Sequence, residues 1–135
     1  MEVTLRSLSD SKFEIAARGH QVICDQPLDN GGTNEGMSPP EFLLASLAAC
    51  AAYYAAQYLK TRGFPSNDVK VRVTAEKALK PARLATFRID VDVPGLDEHH
   101  EAGLLRAVKA CLIHNTLIGE PTIEIALHAQ ALSPV

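Results

Sequence analysis

The 135-residue chain has no tryptophan, and aromatic residues make up only 5% of it. A core without large rings must be assembled from many small aliphatic contacts. Cysteines are few and odd in number, at 24, 50 and 111, with no CxxC pair and no Cys/His cluster at zinc-ligand spacing. That excludes a static disulfide framework and a structural zinc site. Excess positive charge is missing as well: 13 Lys and Arg against 16 Asp and Glu give a formal charge of −3. The chain therefore lacks the electrostatic footprint of a nucleic-acid binder. Asn30-Gly31-Gly32 fits neither a phosphate loop nor a dinucleotide fingerprint, and no residue pattern requires a cofactor or a metal. The opening Met1-Glu2-Val3-Thr4-Leu5-Arg6 lacks the basic-then-apolar pattern of a signal peptide, so the expected location is the cytoplasm.

What is present is an ordinary globular composition, 47% hydrophobic and 21% charged. It predicts one folded domain over residues 1–135. Alanine is concentrated: seven of the 19 lie between Ala45 and Ala56. Phe42 to Leu59 is an 18-residue stretch with only Ser46 and Gln57 polar besides its tyrosines. Its length touches the lower limit of a membrane span. The alanine content and the alternating segments elsewhere argue for a packed helix and no membrane partner.

Val3 to Leu8 alternates weakly, and Phe13–Ala17 and Gln21–Cys24 flank Arg18-Gly19-His20, which reads as a hairpin turned at Gly19. Asp25 to Met37 carries Pro27, Gly31, Gly32 and Gly36 and reads as a loop. Ser38-Pro39-Pro40-Glu41 is a capping box that opens a helix running to about Arg62, with Gly63 as its stop. Val69 to Glu76 and Phe87 to Val93 alternate as two half-buried strands paired through Lys80-Pro81. Asp97 to about Leu112 predicts a second helix, with Leu104, Leu105, Val108, Cys111 and Leu112 on one stripe. Pro121 then opens a last alternating strand through Ile123, Ile125 and Leu127. The order is βββ-α-ββ-α-β, and the class is α+β.

The first helix is apolar on every side and about 36 Å long. A domain of this size is itself only about 36 Å across, from a radius of gyration near 14 Å. One subunit struggles to enclose such a helix, so the pattern predicts a homodimer with the helix at its centre.

Three arrangements could carry chemistry. Cys50, mid-helix, and Cys111 could form a redox pair, in which a thiolate becomes sulfenic acid and a second thiol condenses with it. Mid-helix Cys50 needs a cation from outside its own helix, and Arg18 at the hairpin tip is a candidate. Cys111 and His114, three residues apart, could instead form a Cys-His nucleophile pair, without an oxyanion-hole signature beside it. Asp97-Glu98-His99-His100-Glu101 is rich in metal-ligand types but opens a helix, where acids serve the dipole. Cys24 alternates within a strand and reads as a small hydrophobe.

Asp25-Gln26-Pro27, Gly31-Gly32, Ser38-Pro39-Pro40-Glu41-Phe42-Leu43-Leu44-Ala45-Ser46-Leu47-Ala48-Ala49-Cys50 and Cys111-Leu112-Ile113-His114-Asn115-Thr116-Leu117 resemble the osmotically inducible protein C (OsmC) and organic hydroperoxide resistance family, on its OsmC-like branch. The resemblance implies an intertwined homodimer with long central helices and sites at the subunit interface. It implies thiol-dependent reduction of organic or lipid hydroperoxides, with Cys50 peroxidatic, Cys111 resolving and Arg18 activating the thiolate. Dithiols, such as lipoyl groups on proteins, would be the reductant. The best-characterised peroxidases of the family carry a glutamate ten residues before the peroxidatic cysteine. Here that position is Pro40, and Glu41 at nine is the nearest carboxylate. The alternative is a non-catalytic binding or stress-associated dimer with inert cysteines.

Overall fold

A computed structural model describes residues 1–131. β1 (Thr4–Ser9), β2 (Lys12–Ala17) and β3 (His20–Cys24) form an antiparallel sheet in that order. The β2–β3 turn places Arg18 and Gly19 both at positive φ, 51° and 81°, as a tight two-residue turn between right-twisted strands demands. A loop then leads to α1 (Pro39–Thr61). Glu41 accepts from the Ser38 backbone N–H at 3.0 Å and from its hydroxyl at 2.8 Å, so the predicted capping box forms. The two prolines occupy positions where no helical N–H is missed. At the far end Arg62 caps the helix, and Gly63 follows at φ 76°.

β4 (Lys70–Ala78) and β5 (Arg83–Asp92) make the second, two-stranded antiparallel sheet, running slightly longer than the alternation suggested. Val71, Val73, Phe87, Ile89 and Val91 supply its inward face. Asp97 accepts from the His99 N–H at 2.9 Å and caps a short 3-10 turn, Glu98–His100. α2 (Glu101–Lys109) follows directly.

Two features depart from the expected order. The second helix does not run through Cys111. It stops at Lys109, and a separate α3 (Leu112–Ile118) begins with Cys111 as its N-cap. The apolar stripe continues across the break, which hides it from a periodicity reading. The expected last strand does not pair either, among the described residues. Ile123, Ile125 and Leu127 are 80%, 92% and 89% exposed. A strand needs an edge to bond to, and this segment pairs with neither sheet here.

The core lies where one stripe of α1 meets α2 and the β4–β5 hairpin. Ala51, Ala55 and Leu59, joined by Leu104 and Val108 of α2, are its buried members. The alanines bring the backbones close. Gly103 extends this: a Cβ there would strike the Tyr58 ring, 2.9 Å from its Cε2. Tyr58 also bonds His100 Nδ1 through its hydroxyl at 3.0 Å and carries the Arg62 guanidinium on its face at 3.6 Å. Only Leu47, Ala51, Ala55 and Leu59 of α1 are fully buried, although the helix is apolar all round. Leu59, 1% exposed, sits where the elements converge. Leu59→Ala is expected to cost about 2–5 kcal/mol of stability, read as a lower urea midpoint at unchanged slope.

Candidate functional site

Cys50 stands half-buried in the middle of α1, one residue before Ala51 of the core stripe. Cys111 is 1% exposed at the break between α2 and α3. The break leaves the Cys111 thiol near that of Cys50, which is one of the groups that act on it. The two residues singled out as a pair are therefore brought together within one chain. Burial is the main cause that pushes the Cys111 thiol above its ordinary value, and the Cys50 thiol adds to it. The backbone N–H groups of His114, at 3.5 Å from Sγ, and of Ile113 work the other way by donating to the sulfur.

Cys111 forms part of the wall of a cavity of about 830 Å³ between α1, β5, α2 and α3. Leu47, Phe87, Ile89, Leu104, Val108 and Leu117 are among its apolar lining residues, and Asp92, Glu101, Lys109 and His114 are its charged or titratable members besides Cys111. Cys50 lies near Cys111 but does not itself line this cavity. An apolar chamber with a few polar groups accepts an organic molecule more readily than a small hydrophilic one.

The other two candidates lie elsewhere. Arg18 is exposed at the tip of the β2–β3 turn, and no hydrogen bond or ion pair joins it to Cys50 among the described residues. Glu41 spends its carboxylate on Ser38. The Ser38 backbone N–H first and its hydroxyl second hold the Glu41 carboxyl below the usual range. Cys24 is buried, and burial followed by the nearby Asp25 charge raises its thiol, so it stays a protonated packing residue. Among the described residues no group of His, Cys, Asp and Glu is placed to hold a metal ion.

One organising residue escaped the sequence reading. Asp25 is only 1% exposed, yet it accepts from the Ser11 hydroxyl at 3.0 Å, the Gln26 N–H at 2.7 Å, the Thr33 hydroxyl at 2.7 Å and N–H at 3.2 Å, and the Glu35 N–H at 3.1 Å. It folds the Asp25–Met37 loop around itself and so fixes the approach to α1. Gly32 packs so closely on the Gln26 carbonyl that a side chain there would collide with it. The only hint in the sequence is an acid placed between a strand and a glycine-rich loop. The Thr33 hydroxyl, then the Glu35 and Gln26 amides and the Ser11 hydroxyl, hold the Asp25 carboxyl far below the usual range, against the opposing effect of burial. The unfolded chain binds a proton there near pH 4 while the folded chain does not, so protonation favours unfolding. Stability is expected to be intact above about pH 4 and to fall progressively below it, as thermal unfolding at pH 6, 4 and 3 would record.

The family model described as OsmC-like protein matches residues 32–126, a span that contains both Cys50 and Cys111. The chain belongs to the OsmC-like family. Solved structures share the OsmC-like fold. A Psychrobacter arcticus 273-4 protein named for the osmotic stress and detoxification response is 20% identical, with 84% of this chain and 85% of that one covered, at a TM-score of 0.78. The OsmC-like protein of Mycoplasma pneumoniae is 22% identical over 88% and 87% of the two chains, at 0.74. An organic hydroperoxide resistance protein from Legionella pneumophila is 16% identical over 87% and 88%, at 0.61. No curated protein sequence matches this OsmC-like chain.

Proposed function

We propose that the protein reduces organic hydroperoxides with its Cys50/Cys111 pair, as a cytoplasmic homodimer. The observation that carries this reading is the nearness of the two thiols, with Cys111 in the wall of an apolar cavity, in a chain of the OsmC-like family. Family relatives named for organic hydroperoxide resistance support the redox role. The Cys50 thiolate attacks one peroxide oxygen, the O–O bond breaks, and the alcohol leaves after taking up a proton. Cys50 is then a sulfenic acid, which Cys111 converts to a disulfide with release of water. A dithiol, for instance a protein-bound lipoyl group in its reduced form, returns both thiols and leaves as its own disulfide.

The dimer draws support from two unpartnered surfaces: the open faces of α1, and the alternating, exposed Ile123, Ile125 and Leu127. A second copy covers such surfaces and lets Arg18 act as the activating cation in the assembled site. Light scattering on the purified protein is expected to give twice the 14.5 kDa chain mass. A species of 14.5 kDa at micromolar concentration contradicts it. The activity is tested by turnover of cumene hydroperoxide with dihydrolipoamide.

A second reading, a binding dimer with inert cysteines, is favoured by one observation: Glu41, the nearest carboxylate to the position held by Pro40, is already committed to Ser38. Titration of Cys50 with a thiol reagent separates the two. A thiol that ionises at about 8.5 or above fits the inert reading, and one that ionises well below it fits the peroxidase.

A further inference from the structure

We propose that His114 is the base that takes the proton from Cys111 when the disulfide closes, an inference that rests on the Cys50/Cys111 reading above. Neither cysteine alone accounts for this step. Cys111 is almost fully buried against Cys50 and the cavity wall, and a buried thiol resists ionisation. Yet it is the thiolate that must attack the sulfenic acid. A proton acceptor is therefore needed beside Cys111.

His114 stands in the right place by helix geometry. Cys111 is the N-cap of α3 and His114 is its third residue. A side chain at that position reaches back over the N-cap, as Glu41 does over Ser38 at the start of α1. His114 already contacts the sulfur through its backbone N–H, and its ring shares the cavity wall with Cys111. The ring nitrogen Nδ1 is buried and has no hydrogen-bond partner among the described residues. Buried polar atoms are almost always paired, so an orphaned one in a residue that lines the same cavity as Cys111 marks a group held for a partner that comes and goes. With the proton on Nε2, Nδ1 is a free acceptor. The remaining charged groups on that wall are Asp92 of β5 and Glu101 and Lys109 of α2, and none of them hydrogen-bonds Cys111 among the described residues.

The Cys111 S–H proton passes to Nδ1, and the thiolate sulfur attacks the Cys50 sulfur. The Cys50 S–O bond breaks as the S–S bond forms. The departing hydroxide takes the proton from the imidazolium and leaves as water, with the organic hydroperoxide as the original oxidant.

Single-turnover experiments on the full-length protein test it. One equivalent of cumene hydroperoxide is added, Cys50 sulfenic acid is trapped with dimedone, and disulfide is followed by quenching and mass spectrometry. In His114→Ala and His114→Asn, Cys50 sulfenic acid is expected to form and to accumulate, because its consumption is the step that is impaired. Disulfide closure is expected to slow by about a hundredfold. Closure in the variants should then fall tenfold for each pH unit below the thiol value, whereas the native protein falls less steeply. His114→Asn keeps a polar group near the same position and guards against a loss of fold in the alanine variant. Closure at the native rate and pH slope in His114→Asn overturns the proposal. A native protein that never forms the Cys50 sulfenic acid overturns the underlying pair reading instead, and the proposal with it.

Discussion

Cys50→Ser is expected to remove hydroperoxide turnover, by on the order of a thousandfold or more, with the fold intact. A serine hydroxyl at this site has neither the ionisation nor the soft nucleophilicity of a thiolate. The fold survives because Cys50 is only half-buried and the exchange is nearly isosteric. Cys111→Ser has a different signature. The first oxidation proceeds, but sulfenic acid accumulates at Cys50 and advances to the irreversible sulfinic form under excess peroxide. Turnover with dihydrolipoamide is then expected to decay over successive cycles. Stopped-flow peroxide consumption paired with intact-mass measurement reads both outcomes.

The second large effect is on structure. Asp25→Asn changes one atom but meets a ring of donors: the Ser11 and Thr33 hydroxyls and the Gln26, Thr33 and Glu35 amides. A carboxylate satisfies all of them with two oxygens. An amide offers one oxygen and turns an NH₂ group towards donors, leaving buried groups unpaired. The expected result is a melting temperature lower by about 10 °C and faster proteolysis between residues 26 and 37, ahead of any change in α1. Asp25→Ala is expected to be worse. The acid-dependent loss of stability in the native protein should be much reduced in both, since the responsible carboxyl is gone.

These effects mark the line between what the chain's local chemistry discloses and what only its tertiary structure does. The start of α1 was legible because Ser38, the prolines and Glu41 act within four residues of one another. The β2–β3 turn was legible through Gly19, and β4 and β5 through alternation that one buried face enforces. The break at Cys111 was not, since no glycine or proline marks it and the apolar stripe runs on through Leu112. Its cause is the side chain of Cys111 accepting from α3 while packing on α1, a contact between distant parts of the chain. Ile123 to Leu127 carries a genuine strand pattern without an edge in its own chain to bond, which is a property of the surroundings and not of the segment. Asp25 carries little local sign of its role because, apart from the Gln26 amide, its partners come from Ser11 just before β2 and from eight to ten residues ahead. At the site, periodicity alone left Cys50 and Cys111 as two candidate packing residues. Thiol chemistry offered them as a redox pair, the family resemblance gave each its role, and the fold brings them near one another. Arg18 was offered as a cation from outside the helix and Glu41 came from the resemblance, yet among the described residues neither bonds to Cys50.

The most direct test of the account is mass spectrometry of the native protein after one equivalent of cumene hydroperoxide, with free thiols alkylated before digestion. The account predicts a loss of two hydrogens from the intact chain and a single cross-linked peptide joining Cys50 to Cys111, with Cys24 alkylated. Recovery of Cys50 and Cys111 both fully alkylated, with the peroxide unconsumed, would contradict it.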